Sequence, residues 1–254
     1  MIQPNLTAGS VYLLAFLLTL CAAGLAHLLK RIRAINIPSG IMSPMGSIYA
    51  LTAAFLLSNA FLNVSNLKTS ITQEVVTINK LGGLVSALPD MQRVEARRLV
   101  YDYGYSIAND ESVTIQQGMA SEKSLLALQR VKDFFESPDA NPPQGKKESV
   151  LTSNYSKKVT DLLYDLIDAR ERRIAQAKPA FTQALALALG LMYFALCTTI
   201  FVVTTKPWDL FVAGLLLMIA APVPCQLLIL FSNPFSSGII NIKEIFDALL
   251  ERSL

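Results

Sequence analysis

The 254-residue sequence is poor in the side chains that most catalytic and metal sites use. His27 is its only histidine, and no Ser, Cys or carboxylate motif accompanies it. The cysteines, Cys21, Cys197 and Cys225, lie apart in apolar runs and lack the spacing of a disulfide framework or a metal site. A phosphate-binding loop and an acidic metal cluster are also absent from the sequence. We therefore predict that the chain is not an enzyme and has neither a cofactor nor a bound metal.

Charged residues are also scarce, since they make up 16% of the chain against 52% hydrophobic residues. The formal net charge is only +3, and basic and acidic side chains nearly balance over residues 66–179, which carry most of the charge. A protein that binds nucleic acid needs a strongly basic surface, which this balance does not supply. We therefore predict no nucleic-acid partner.

Long apolar runs are the main feature that the sequence does have. Runs of about 20 residues or more, the length that spans a bilayer as a helix, cover Ser10–Leu29, Ala180–Thr205 and Trp208–Phe231. A shorter run, Met45–Leu62, contains several Ser, Thr and Asn residues and is the fourth predicted span. The chain is therefore expected to be a multi-pass membrane protein.

The region between the second and third spans is predicted to be helical throughout. No Pro or Gly pair interrupts the pattern from Met45 to Gly82, so the second span is expected to continue out of the bilayer as one long helix. Pro, Gly and Lys residues mark 137–149 as an exposed loop, and Pro38, Ser39 and Gly40 mark a turn after the first span. Three further helices carry apolar residues at helical spacing: Met91, Val94, Val100, Tyr103 and Ile107; Leu125, Leu128, Val131 and Phe135; and Val159, Leu163, Leu166 and Ile174.

These elements predict an all-α fold, in which four transmembrane helices hold a long helical soluble domain between spans 2 and 3. The expected divisions are residues 1–63 for spans 1 and 2, and 64–179 for the soluble domain continuous with helix 2. Residues 180–232 would form spans 3 and 4, and 233–254 a C-terminal tail.

The side of the membrane on which the soluble domain lies stays open at this level. Lys30, Arg31 and Arg33 favour a cytoplasmic first loop by the positive-inside rule, which would put the soluble domain outside. A larger basic group before the third span, against a single lysine in the next loop, favours a cytoplasmic domain instead. That group consists of Arg170, Arg172, Arg173 and Lys178, and the single lysine is Lys206.

An uncharged polar stripe follows the second span and its extension. Such a stripe must contact other helices or water, because amides facing lipid are costly. Hydrogen bonding between helices is one interpretation, and a ring of amides around the pore of an oligomer is the other. Its members, which are seven, four, three, four, three and four residues apart, are Thr52, Asn59, Asn63, Asn66, Ser70, Gln73 and Thr77.

Two other groups of residues could contribute to structure or function. Pro222 and Pro224 predict a break in the fourth span, which can create an ion or substrate site or can simply adjust packing. The charged and tyrosine side chains on the soluble helices are expected to be at the surface, with the charged ones forming ion pairs: Glu74, Arg97, Arg98, Tyr101, Asp168, Arg170, Glu171 and Arg172.

The order of two spans, a helical middle, two spans and a short tail resembles the bestrophin-like domain family of mainly bacterial membrane proteins. The resemblance covers Met45 onward. The matching segments are Glu74-Val75-Val76, Leu88-Pro89 before Arg97, Arg98 and Tyr101, the run 169–173 before Pro179, and Asn233-Pro234-Phe235-Ser236-Ser237-Gly238. The last segment departs slightly from the family. The family usually has an acidic residue in place of Asn233, and a single Ser, where this sequence has two, between the Phe and the Gly.

This family is named for its likeness to true bestrophins, which are pentameric anion channels whose second helix lines the pore. The resemblance therefore implies a homo-oligomer in a bacterial inner membrane, with five copies as the suggested number and with the bilayer, its own copies and small ions as partners. Calcium gating is not implied, because the sequence lacks the acidic cluster that binds calcium in animal bestrophins.

We expect a homo-oligomeric channel that passes small anions. The alternative is a membrane sensor or interaction protein whose soluble helical domain binds a ligand or partner and relays a shift through the second helix. In the channel hypothesis the pore-lining residues are Thr52, Asn59, Asn63, Asn66, Ser70 and Gln73.

Overall fold

The computed structural model describes residues 8–32, 40, 42–137, 149–178, 183–220 and 222–253. Within these ranges the chain is helical without β-strands, which confirms the all-α prediction for the described residues. A π-helical turn spans Ile107–Glu111, and a 3₁₀ turn spans Ile115–Gln117. The α-helices are α1 (Ala8–Ile32), α2 (Met42–Val85), α3 (Asp90–Ser106), α4 (Ser112–Thr114), α5 (Glu122–Glu136), α6 (Ser149–Ala177), α7 (Gln183–Val203), α8 (Pro207–Ala220), α9 (Pro222–Ser232) and α10 (Ile242–Ser253).

Some predicted features lie outside the described residues. They are Arg33, Pro38 and Ser39 of the first loop, residues 138–148 of the loop before α6, and residues 180–182 at the start of the predicted third span.

Helices that are long and apolar enough to cross a membrane occur three times in the described part of the chain. They are Ser10–Arg31, Ser43–Val85 and Pro207–Ser232, while the apolar stretch Leu187–Val203 of α7 is shorter. The third of them comprises α8 and α9, and α9 begins at Pro222, where the sequence predicts a break. The predicted count of four spans stays a prediction.

Helix α2 is a single helix of 44 residues, which confirms that it continues well beyond its apolar half. A bilayer needs about 20 helical residues, so α2 is about twice as long as a span requires. Gly82 and Gly83 stay within the helix, which ends at Val85. The long helix predicted from the lack of breakers is therefore present.

The chain divides into two compact units. Unit 1 contains Met1–Leu62 and Ala180–Ser232, and unit 2 contains Asn63–Pro179 and Asn233–Leu254.

Unit 1 has a core in which small side chains allow its helices to approach closely. Ala22, Ala26 and Cys197 are almost completely buried there. The hydroxyl groups of Thr19 and Tyr193 are 2.7 Å apart and join α1 to α7. Lys30 Nζ donates to the carbonyl oxygen of Thr204 at 2.7 Å, just beyond the end of α7.

Unit 2 is held together by large apolar side chains from several helices. Leu81, Ile107, Leu166 and Phe246 are fully buried. The C-terminal helix α10 packs against α3 and the π turn, where Gly104 lies so close to Leu250 that an added Cβ would be 2.9 Å from Cδ2.

The apolar face predicted for α3 is wrong at its start. Met91 and Val94 are 89% and 71% exposed, whereas Ala96, Val100 and Tyr103 are buried. At 100° per residue, Met91 and Val94 lie opposite the buried face. Val94 and Val100 are six residues apart, which is not a helical repeat. This spacing is the signal in the sequence that Met91 and Val94 do not share the buried face. Leu125 of α5 is likewise half exposed, while Leu128 and Val131 are buried as predicted.

Candidate functional site

The polar stripe on α2 separates into two columns of residues at seven-residue intervals. Asn59, Asn66 and Gln73 are exposed, and we call them the outer column. Thr52, seven residues before Asn59, is half-buried, and its hydroxyl donates to the carbonyl oxygen of Ile48 in its own helix. Seven residues are nearly two turns of an α-helix, so members of one column lie almost directly above one another.

The inner column consists of Asn63, Ser70 and Thr77, and the first two of these residues bond to α6. Asn63 Nδ2 donates to the carbonyl oxygen of Gln176 at 3.1 Å, and Ser70 Oγ donates to Gln176 Oε1 at 3.0 Å. Ser70 and Thr77 are both buried. For Asn63 and Ser70, hydrogen bonding between helices is thus what the structure shows.

Large apolar side chains flank the outer column on the same side of α2. Leu51, Phe55 and Leu62 are all more than half exposed. Together with Asn59 and Asn66 they follow one another at three- to four-residue spacing, so they share one exposed face of the helix. This exposed face therefore carries both bulky apolar side chains and amides.

A buried charge cluster lies in unit 2, and α6 supplies its cations. Arg173 donates from Nε to Glu74 Oε2 at 2.6 Å and from Nη2 to Glu111 Oε2 at 3.0 Å. Arg170 Nη2 donates to the other oxygen of Glu111 at 2.9 Å, and the hydroxyl of Tyr103 donates to Glu74 Oε1 at 2.7 Å. The cluster contains two carboxylates and two guanidinium groups, so its formal charges cancel.

The electrostatics of the cluster follow from its burial. Desolvation by itself lowers the pKa of Arg173, but attraction to Glu74 and then Glu111 outweighs it and raises the pKa above its ordinary value. Burial, followed by repulsion from the Glu74 carboxylate, raises the pKa of Tyr103 well above its ordinary value. Arg173 therefore stays charged and Tyr103 stays protonated at neutral pH.

The surface ion pairs predicted for Glu74 and Arg170 are wrong. Glu74 is fully buried and Arg170 is 5% exposed, because both lie on the apolar faces of their helices. Glu74 continues the buried series Leu67, Ile71, Ile78 and Leu81, while Arg170 and Arg173 continue the series Val159, Leu163 and Leu166. These spacings are the sequence signal that identifies the cluster. An ionised side chain on such a face needs a buried partner.

Arg98, Asp168 and Arg172 form surface ion pairs, as the sequence predicts. Arg98 pairs with Glu95 at 3.0 Å and Arg172 with Asp168 at 2.6 Å, and all four side chains are well exposed. Tyr101 is also exposed and stacks on Tyr105. These pairs connect residues of one helix and contribute little to stability.

The π turn places Glu111 in the cluster. Because a π turn contains an extra residue, it changes the direction of the side chains that follow it. Glu111 at its end is fully buried, whereas Asp110 beside it pairs with the exposed Lys123 at 2.8 Å. Two consecutive acidic residues thus have different surroundings.

The segment 233–238 forms a tight turn after α9. The backbone N–H of Ser237 donates to the carbonyl oxygen of Asn233, and the backbone N–H of Ile240 donates to the carbonyl oxygen of Pro234. Gly238 has a φ of 77°, a left-handed conformation that favours glycine, and Phe235 is buried. The turn leads the chain into α10.

The described residues contain no group of three or more His, Cys, Asp or Glu side chains that could hold a metal ion. His27 is exposed near the end of α1.

Comparison with known proteins gives one family and one fold. The Bestrophin-like domain family matches residues 9–244. Two mutants of a bacterial Bestrophin homolog from Klebsiella pneumoniae have similar structures. One has a TM-score of 0.70 at 11% identity and covers 96% of both chains, and the other has 0.67 at 14% identity and covers 95% of both. These identities support a shared fold alone. No curated protein matches the chain in sequence.

Proposed function

Because the chain belongs to the Bestrophin-like domain family, we propose that it is a homo-oligomeric ion channel in which copies of α2 surround the pore. The observation that carries this proposal is the outer column, whose amides stay exposed while Asn63 and Ser70 of the inner column bond to α6.

The position of Asn59 supports a water-filled axis. Asn59 lies within the apolar half of α2, and its side chain is exposed. An amide that faces lipid lacks hydrogen-bond partners, which is costly in hydrocarbon. A pore removes that cost because water solvates the amide. A single α2 helix cannot enclose a pore, so the proposal requires several copies around one axis.

The proposed pore residues are Thr52, Asn59, Asn66 and Gln73. Asn63 and Ser70, which the sequence places in the same stripe, hold α2 against α6 and so set which side of α2 faces the axis. The proposed topology has four spans, formed by α1, the first half of α2, α7, and α8 with α9. The proposed location is a bacterial inner membrane, and the proposed divisions are residues 1–63, 64–179, 180–232 and 233–254.

The test is ion flux through the purified protein in liposomes. Asn59→Leu and Asn66→Leu are expected to reduce flux several-fold, because a branched apolar group dewets a narrow polar passage. Ser65→Leu is the matched control, since Ser65 is exposed on another side of α2. Folded oligomers that conduct no ions, or equal flux in all three variants, would contradict the proposal.

A second candidate is a sensor that relays ligand binding in unit 2 through α2. The uninterrupted helix of 44 residues favours it, because a rigid element can transmit a displacement. A monomeric protein that binds a ligand and conducts no ions would support this function over the channel.

A further inference from the structure

We propose that Lys80 forms a ring of positive charge in the assembled channel and that this ring selects anions. The inference rests on the proposed function, because it requires the outer column to face a pore. It adds a specificity-determining residue in the extension of α2, beyond the amides.

Lys80 continues the outer column by spacing. Asn59, Asn66, Gln73 and Lys80 follow one another at intervals of seven residues on one helix, and all four side chains are exposed. A straight α-helix drifts about 20° per seven residues, so Lys80 stays on the same side as Gln73 and Asn66. The long, flexible lysine stem compensates for the remaining angle.

Lys80 is the only charged residue on this face of α2. Helix α2 contains two other charged residues, Lys68 and Glu74. Lys68 lies on a different side of the helix, about 140° from Gln73 at 100° per residue. Glu74 is fully buried and bonded to Arg173. The column therefore carries one formal charge per copy, at Lys80.

No carboxylate neutralises Lys80 among the described residues. The residues one turn away on α2 are Val76, Thr77, Gly83 and Leu84, none of which is acidic. The ion pairs of the described residues do not include Lys80. The adjacent glycines leave open space, since a Cβ added at Gly82 or Gly83 meets nothing within 4 Å. The ammonium group is thus unpaired within the described protein and can attract a mobile anion.

The amides of the column cannot perform this selection by themselves. An Asn or Gln side chain offers both a donor and an acceptor, so it solvates either sign of ion. Several ammonium groups around one axis produce a positive potential that concentrates anions and repels cations. This potential is screened by salt, because the Debye length falls from about 10 Å at 0.1 M to about 3 Å at 1 M.

The test measures reversal potentials under a salt gradient in planar bilayers that contain the purified oligomer. Lys80→Glu is expected to lower the anion-to-cation permeability ratio on the order of tenfold, and Lys80→Gln by less, because the first reverses the charge and the second removes it. Lys68→Glu and Lys68→Gln are the matched controls on the same helix, and their permeability ratios should equal that of the wild type.

A second measurement uses the wild type alone, so it does not require any variant to fold. Its permeability ratio should fall as the ionic strength rises from 0.1 M to 1 M, because salt screens the ring. An unchanged ratio in Lys80→Gln, or equal shifts in the Lys68 and Lys80 variants, would overturn the role of Lys80. If either of these results occurs while the variants conduct normally, the proposed channel function still stands. An absence of conductance in the wild type would instead contradict the channel function itself.

Discussion

Glu74 and Arg173, which are 99 positions apart in the chain, form a fully buried ion pair with two hydrogen bonds of 2.6 and 3.2 Å. The pair joins α2 to α6 within unit 2. Glu74 follows Gln73 by one residue, so the two side chains point about 100° apart. A bond that holds Glu74 inward therefore also keeps Gln73 outward, which connects the charge cluster to the outer column.

Removal of one partner from this pair should strongly destabilise unit 2. Glu74→Ala leaves Arg173 charged and buried without its closest carboxylate, and we expect the free energy of unfolding to fall by about 3 to 5 kcal/mol. Asp168→Ala is the control, because the exposed pair of Asp168 and Arg172 is worth at most about 1 kcal/mol. Chemical unfolding of the detergent-solubilised protein measures both. Similar losses of unfolding free energy in the two variants would show that the buried pair contributes no more to stability than the exposed one.

The cluster also predicts a loss of stability at alkaline pH. The pKa of Tyr103 is raised in the folded state, so the stability that the protonated side chain contributes is fully present below the unfolded pKa of about 10. This stability is lost as the pH rises toward the folded pKa. Tyr103→Phe removes this contribution together with one hydrogen bond to Glu74. We expect the variant to be about 1 kcal/mol or more less stable near pH 8, and this difference to shrink above pH 10. Unfolding midpoints between pH 8 and 11 provide the measurement, and a constant difference would contradict the prediction.

The C-terminal helix should contribute to the core of unit 2. Phe246 on α10 is fully buried, so Phe246→Ala is expected to cost about 3 to 5 kcal/mol through lost burial and the cavity left behind. The neighbouring Ile245 is 38% exposed, and Ile245→Ala is expected to cost clearly less. Thermal unfolding of the two variants tests this. A larger loss for Ile245→Ala would mean that α10 is turned differently.

Two glycines should respond to alanine in opposite directions. Gly238 has open space around it but a φ of 77°, so Gly238→Ala is expected to cost about 1 kcal/mol through backbone strain alone. Gly83 lies within α2 with equally open space, so Gly83→Ala is expected to stabilise the protein by up to about 1 kcal/mol. Unfolding curves recorded side by side give the two signs, and a gain in Gly238→Ala would argue against the left-handed turn.

Much of the fold was predictable because its signals are local. The unbroken pattern from Met45 to Gly82 predicts one long helix, and α2 has that form. The charge cluster was missed because its residues lie far apart in sequence, although Glu74, Arg170 and Arg173 each continue a buried apolar series. The face of α3 was wrong at Met91 and Val94, since two apolar residues were assigned to a repeat that they do not fit.

The sequence by itself determined the all-helical character, the apolar runs and the seven-residue spacing of the polar side chains on α2, because helix length, backbone satisfaction and side-chain direction depend on neighbouring residues. Only the tertiary structure decided which polar side chains bond to α6 and which stay exposed. It also decided that Glu74 and Glu111 share Arg173 in the interior. Those outcomes depend on where a second helix lies, and a one-dimensional pattern does not contain that position.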